Sequence, residues 1–306
     1  MAVGISVEDR IKGALVGLAC GDAVGTTLEF KPKGSFMPIK DMVGGGPFNL
    51  ERGQWTDDTS MALCLAHSLL YRQGFDPIDQ MNRYCNWYQH GYMSSNGDCF
   101  DIGITVTKAL NRYLQTNNPF SGSEDEYSSG NGSLMRLAPI PIFYQSNYQQ
   151  CIFYAGESSR TTHASVECIE ACKLFASLIL SAFKSDKKRE IFEGNKYVSS
   201  CKKIEDIAQG KFIDLNYDDN QGSGYVVESL NSALWCFFNS DSFEESILLA
   251  ANLGNDADTT AAICGQISGA FYGFSAIPKH WREGIYMGKE IEKLAIDLYL
   301  MGKGDV

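Results

Sequence analysis

Apolar residues recur at three- and four-residue spacing along almost the whole chain, the pattern of amphipathic helices packed on a core. Ile11, Leu15, Leu18 and Ala19 mark a helix over residues 8–21. Met61, Leu63, Leu65, Leu69 and Leu70 mark another over 61–71, and Ile78, Met81, Tyr84, Cys85 and Tyr88 form the stripe of a third over 77–88. The same spacing predicts helices over 102–114, 164–183, 225–238, 243–253, 259–272 and 286–300, with short pieces at 188–193 and 204–209. Pro278 and Gly284 punctuate the approach to the last of these. Residues 212–215 alternate too briefly to make a strand, and no hairpin signal has flanking alternation. The predicted fold is all-α: one compact multi-helix domain over residues 1–306, without a long internal repeat.

Two of the predicted helices open on unusual polar clusters. Gln54-Trp55-Thr56-Asp57-Asp58-Thr59-Ser60 precedes the 61–71 helix, and Asn255-Asp256-Ala257-Asp258-Thr259 precedes the 259–272 helix, after a Gly254 suited to ending the helix before it. Asp and Thr are ordinary N-cap residues, and a plain cap or acidic turn is one reading of each cluster. One cap needs one such side chain, however, whereas each cluster offers three hard oxygen ligands of the kind that Mg²⁺, Mn²⁺ and Ca²⁺ prefer. The clusters stand about two hundred residues apart, a separation that a compact helical fold can close. Four carboxylates brought together would repel one another, and a pair of divalent ions would relieve that repulsion.

Composition narrows the classes. With 306 residues, 44% hydrophobic and 12% aromatic, the chain can bury a large core. A net charge of −11 disfavours non-specific nucleic-acid binding and attachment to anionic membranes. A phosphate-bearing ligand would then need metal ions, helix N-termini or backbone amides. The first twelve residues carry Glu8 and Asp9 and no apolar segment of a secretory signal. The longest apolar stretch, 174–183, is too short to span a bilayer. Ten cysteines, none in Cys-x-x-Cys spacing, read as buried reduced thiols of a cytoplasmic protein.

Other positions carry two readings each. Asp101 stands where the 102–114 helix starts and reads as its N-cap. Glu29 reads as a loop carboxylate and His163 as a residue opening the 164–183 helix. Tyr225 reads as a core residue. Residues 115–131 form a long polar loop that delivers Gly130-Asn131-Gly132-Ser133, glycines suited to close backbone approach by a phosphate.

Taken together, the motifs resemble the ADP-ribosylglycohydrolase family, and within it the dinitrogenase-reductase-activating branch. The resemblance rests on Leu15 to Phe30, Trp55-Thr56-Asp57-Asp58-Thr59, Phe100-Asp101-Ile102-Gly103, Gly130 to Arg136, Thr162-His163, Gly224-Tyr225-Val226 and Gly254 to Gln266, in the family's order. It implies an all-α fold with a binuclear metal centre in which Thr56, Asp57, Asp58, Asp256, Asp258 and Thr259 hold two Mg²⁺ or Mn²⁺ ions. It implies catalytic roles for Asp101 and Glu29. It implies ADP-ribose contacts from Gly130, Asn131, Gly132, Ser133, Met135, His163 and Tyr225. Ala164-Ser165 stands where many relatives carry His-Pro after this point, which leaves the role of His163 open. The implied activity is hydrolysis of ADP-ribose from modified protein side chains, with arginine as the expected acceptor. Serine-linked or O-acetyl ADP-ribose, nucleotide phosphohydrolysis and a non-catalytic ADP-ribose-binding module stand as alternatives.

Overall fold

The computed structural model describes residues 4–304 of the chain; Met1, Ala2 and Val3 of the N-terminal segment lie outside the described residues. Among the described residues fourteen α-helices follow one another. They are α1 (Val7–Gly25), α2 (Asp57–Arg72), α3 (Pro77–His90), α4 (Ile104–Thr116), α5 (Pro139–Phe143), α6 (Tyr148–Arg160) and α7 (Val166–Ala182). The second half holds α8 (Lys188–Glu193), α9 (Lys202–Ala208), α10 (Val226–Phe238), α11 (Phe243–Ala251), α12 (Ala257–Tyr272), α13 (Lys279–Gly284) and α14 (Gly288–Lys303). Among the described residues there are isolated β-bridges and no named strand, so the all-α expectation holds. One core runs through the helices, from Ile11 in α1 to Tyr299 in α14.

Local chemistry sets many of the boundaries. Asp76 accepts from the N–H groups of Ile78 and Asp79, and Pro77 occupies the first helical position, so α3 starts there. Gln73 and Gly91, both in the left-handed region, end α2 and α3. Several boundaries depart from the expected ones. Helix α6 has no counterpart among the expected elements. Residues 211–214 form a 3₁₀ turn. Gly254 lies beyond the end of α11, whose C-cap is Asn252.

At the centre, α1 and α12 pack antiparallel at backbone contact. A Cβ added at Gly13, Gly17, Gly21 or Gly25 would stand 2.2, 2.4, 2.1 or 2.4 Å from the carbonyl oxygen of Gly269, Gly265, Ala261 or Ala257 respectively. The four glycines recur every fourth residue, so they share one face of α1. With the turn that follows it, this helix is apolar and long enough to cross a membrane by composition, exceeding the 174–183 stretch. Yet 94% of that window is buried within the fold, as a core helix requires. Arg10 anchors its start by donating to the carbonyls of Ala182 (3.0 Å) and Phe271 (2.6 Å) at the ends of α7 and α12.

The glycine face makes the first prediction. Gly21→Ala should cost about 3 kcal/mol, because a backbone carbonyl and not a flexible side chain would have to move. Gly284→Ala, where a new Cβ meets nothing within 4 Å, should be neutral or slightly stabilising. Urea midpoints of the two variants compare them directly, and equal midpoints would contradict this account of the α1–α12 contact.

Candidate metal and ligand site

The antiparallel pairing sets the C-terminal end of α1 beside the N-terminal end of α12. Asp22, late in α1 and fully buried, reaches the start of α2. Its carboxylate accepts from the amide and hydroxyl of Thr56 (2.8 and 2.9 Å) and from the amide and hydroxyl of Thr59 (3.0 and 2.6 Å). Glu29, just past α1, does the same service for α12 through the amides of Ala257 (2.8 Å) and Asp258 (3.4 Å). Both helix starts are thus capped by carboxylates from another segment. Thr56 and Asp256 stand at the N-cap positions, yet neither makes a side-chain capping bond. The plain-cap reading of the two clusters therefore fails.

Freed from capping, the clusters meet. The Thr56 hydroxyl lies 3.4 Å from Asp58 Oδ2 and 3.3 Å from Asp258 Oδ2, across 202 residues of sequence. Thr259 closes the other diagonal, donating to Asp58 Oδ2 at 3.3 Å. Carboxylate oxygens of Glu29, Asp256 and Asp258 come within 4.8 Å of one another. Asp58 Oδ1 is buried without a hydrogen-bond partner. Burial, then the charges of their neighbours, raise the carboxyls of Asp57 and Asp58 well above the ordinary range. The same two causes, with Asp258 as the first neighbour, push Asp22 up to about 7 and Asp256 up to about 6. An orphaned buried carboxylate oxygen, crowded anions and hydroxyl donors fit a divalent cation, and this cluster can hold one.

The cluster forms one wall of a cavity of about 480 Å³. Glu29, Asp57, Asp101, Asp256, Asp258 and Thr259 line it, whereas Thr56 and Asp58 lie beneath its surface. Asp101 does not cap a helix: α4 begins three residues later, with Gly103 at its N-cap. Instead Asp101 sits at φ +60° in the loop, half-buried, facing the cluster. Burial, then Asp258 and Asp57, push its carboxyl up to about 11.

The opposite wall comes from the glycine-rich loop. Gly130, Asn131, Gly132, Met135 and His163 line it. Ser133 does not; its hydroxyl turns into the core and accepts from Ser159 at 2.8 Å. Asn131 uses its side-chain amide to donate to Asp256 (2.9 Å) and Ser229 (2.9 Å), so it steadies a carboxylate of the cluster. At Gly132 a Cβ would stand 2.8 Å from Cε1 of His163, which is why only glycine fits there.

His163 lies in the turn between α6 and α7, not in the helix, which Ser165 caps. Arg136, fully buried over the Tyr84 ring, donates to the Thr162 hydroxyl at 2.8 Å. That hydroxyl lies 2.9 Å from His163 Nδ1. The Thr162 oxygen accepts from Arg136, and the assignment that also gives its own proton an acceptor sends that proton to Nδ1 and puts the ring proton on Nε2. Burial, then the Arg136 cation, push the His163 pKa down to about 3, so the ring is neutral. Its Nε2 borders Gly130 and Gly132 and presents a fixed donor at the cavity wall.

A second cavity of about 500 Å³ adjoins the first and shares Thr105, Gly130 and Gly224 with it. Tyr225 lines this one, with Tyr127, Glu167 and Lys203. The Tyr225 hydroxyl donates to Glu167 at 2.7 Å and accepts from Lys203 at 2.8 Å. Asp22, Arg136, Glu167 and Lys203 were not among the expected site residues. Asp22 and Arg136 each stand as a charge within a run of small and apolar residues, a pattern that marks a buried charge but not its partner.

Acidic and hydroxyl groups from two helix starts stand on one wall, and glycines with a neutral imidazole on the other, an arrangement suited to the hydrolysis of a phosphate-bearing substrate. The comparisons with known proteins give the kind. The family model described as ADP-ribosylglycohydrolase matches residues 4–305, and the chain belongs to that family. It is 42% identical over 293 residues to the ADP-ribosylarginine hydrolase Tri1 of Serratia proteamaculans, covering 96% of this chain and 80% of that protein. It is 30% identical over 298 residues to the ADP-ribosyl-dinitrogen reductase glycohydrolase of Rhodospirillum rubrum, covering 94% of each. A solved ADP-ribosylglycohydrolase-related protein complex matches with a TM-score of 0.85 at 41% identity, over 97% of this chain and 99% of that one.

The raised carboxyl pKa values fix the sign of a stability effect. A folded-state pKa above the ordinary value of about 4 contributes stability below that value and loses it as pH rises through the folded pKa. For Asp22 and Asp256 the loss falls as pH passes about 6 to 7. The melting temperature of cation-free protein should therefore fall between about pH 5 and about pH 8, and Mn²⁺ should restore more at the upper end. A melting curve insensitive to both pH and Mn²⁺ would refute the crowding argument.

The imidazole network is equally open to test. Thr162→Val keeps the shape but removes the hydroxyl, so ¹⁵N spectra should show His163 leaving its single Nε2–H form. ADP-ribose affinity should drop about tenfold, near 1.4 kcal/mol. An unchanged ring spectrum would overturn the tautomer assignment.

Proposed function

We propose that the chain hydrolyses the glycosidic bond between ADP-ribose and an arginine side chain of modified proteins, releasing ADP-ribose. The observation that carries the reading is the meeting of two distant Asp/Thr clusters with Glu29 on the wall of a ligand-sized cavity. The 42% identity to an ADP-ribosylarginine hydrolase supports arginine as the acceptor.

In this reading Thr56, Asp57, Asp58, Asp256, Asp258 and Thr259 would hold two Mg²⁺ or Mn²⁺ ions, with Glu29 at their edge. Bound cations would orient the hydroxyls of the distal ribose and polarise the attacking water. The bond from C1 of the ribose to the guanidine nitrogen breaks, the water oxygen bonds to C1 as one of its protons passes to Glu29, and the nitrogen gains a proton. Asp101 is the proton donor of choice, because it faces the cavity from its own loop, outside the set that would hold the ions. Nearby carboxylate oxygens favour the positive charge that develops on the ribose ring. His163 Nε2 donates to the diphosphate, where a neutral donor does not compete with the cations. Gly130 and Gly132 let the diphosphate approach the backbone, beside Met135, and Tyr225 walls the adenosine end. The ten free thiols, eight of them buried, fit work in a reducing cytoplasm.

The test is release of ADP-ribose from an arginine-ADP-ribosylated protein with Mn²⁺ or Mg²⁺, and with EDTA as control. Metal-dependent release is expected, and Asp256→Ala should lower it by at least about a hundredfold. Release of AMP or inorganic phosphate would point to phosphohydrolysis. Tight ADP-ribose binding without release from arginine would point to another linkage or to a binding module.

A further inference from the structure

We infer that Phe30, backed by Phe48 and Phe100, forms a subsite for the leaving group, which takes a planar cation of the guanidinium class. The inference rests on the arginine reading above and adds which residues recognise that side chain. Phe30 follows Glu29 directly, and Phe100 precedes Asp101, so each carboxylate at this end of the cavity carries an aromatic neighbour. The rings form a chain: Phe30 meets Phe48 edge-on at 6.2 Å, and Phe48 meets Phe100 at 5.3 Å.

Phe30 is held in a conformation a bulky side chain rarely adopts, with φ +62°. Two reciprocal bonds keep it there, from the Phe30 amide to the Asn255 carbonyl (2.7 Å) and from the Asn255 amide to the Lys31 carbonyl (2.7 Å). Asn255 immediately precedes Asp256, so the constraint ties the ring to the acidic cluster. Strain of this kind persists where the surroundings enforce it, and here it holds a ring out rather than in. Phe30 is 64% exposed and lines both the main cavity and the adjoining groove beside Gly222 and Gly224. A ring serving only to pack the 43–50 loop would be covered by that loop.

An aromatic face beside carboxylates suits one class of group above others. Guanidinium is flat, delocalised and weakly hydrated, so it stacks on rings while pairing with anions. Glu29 and Asp101 offer carboxyl oxygens at the cavity mouth that can accept from its N–H groups. A serine hydroxyl leaving group has no plane and no charge for the rings to engage. The aromatic rim therefore discriminates between linkages by what leaves, not by the ADP-ribose that both share.

The experiment compares the unsubstituted protein with Phe30→Ala, Phe48→Ala and Phe30→Tyr, all loaded with Mn²⁺. Each is assayed on a peptide carrying ADP-ribosylarginine, and its ADP-ribose dissociation constant is measured alongside. Either alanine variant should raise the KM for the arginine-linked peptide about tenfold, with ADP-ribose affinity held, and Phe30→Tyr should restore it. An unchanged KM in both alanine variants would overturn the subsite while leaving the arginine reading intact. A parallel loss of ADP-ribose affinity would overturn it too, because the rings would then be shaping the site as a whole. Failure of the unsubstituted protein to cleave this peptide, while it cleaves a serine-linked one, would overturn the arginine reading and the subsite with it.

Discussion

The structure depends on two helices touching through their backbones. Side chains at Gly13, Gly17, Gly21 and Gly25 would hold α1 away from α12 and withdraw Asp22 and Glu29 from the helix starts they cap. The antiparallel direction matters as much as the closeness. It sets the end of one helix against the beginning of the other, so Glu29, just past α1, meets amides early in α12. A parallel pair would have put this carboxylate against a negative helix end, where it is disfavoured. A packing decision made by four small residues thus fixes the electrostatics of the site.

Burying so many carboxylates is unfavourable, and the fold offsets it in parts. Asp22 receives four donors, Glu29 two amides, and Asp256 the amide of Asn131. The starts of α2 and α12 add the positive ends of two helix dipoles. What remains is concentrated where these devices stop, at Asp58 Oδ1 and at the facing oxygens of Glu29, Asp256 and Asp258. The residual repulsion is therefore a functional quantity: it is the part of the cost that a cation, and nothing in the chain, is left to relieve. Fully satisfying those oxygens with protein donors would stabilise the fold and remove the reason to bind a metal.

The same division explains what the sequence made legible. Helical periodicity and the two Asp/Thr clusters were readable because each is a local pattern, and their families of oxygen ligands could be counted in place. The capping of α2 and α12 was not, because the rule that a helix is capped by its own neighbouring side chain fails when a buried acid from elsewhere is better placed. The capping reading of Asp101 failed for the related reason that Gly103, two residues on, is the N-cap of α4 and makes no side-chain cap bond. Arg136 gave no warning of its partner either. A buried arginine in an apolar run carries no local sign that its target is a threonine in the next turn. The apolar run in α1 was divided by its glycines, so its length emerged only once it was seen as one helix.

Joined at Thr105, Gly130 and Gly224, the two cavities make one cleft with unlike ends. This asymmetry orients a ligand with a polar sugar at one end and a flat base at the other. The acidic end repels phosphate unless cations intervene. The far end presents the Tyr225 ring, braced by Glu167 and Lys203, and lacks the crowded acids. Between them the neutral His163 gives a donor, and the glycines a close approach to the backbone, without adding a charge that would compete for the carboxylates. Under the proposed reaction ADP-ribose enters base-outward along this gradient, which brings C1 of the distal ribose to Asp101 and Glu29 and leaves the departing side chain at the Phe30 rim. The reverse orientation would set a base among carboxylates and a ribose against an aromatic ring, losing both recognition terms at once.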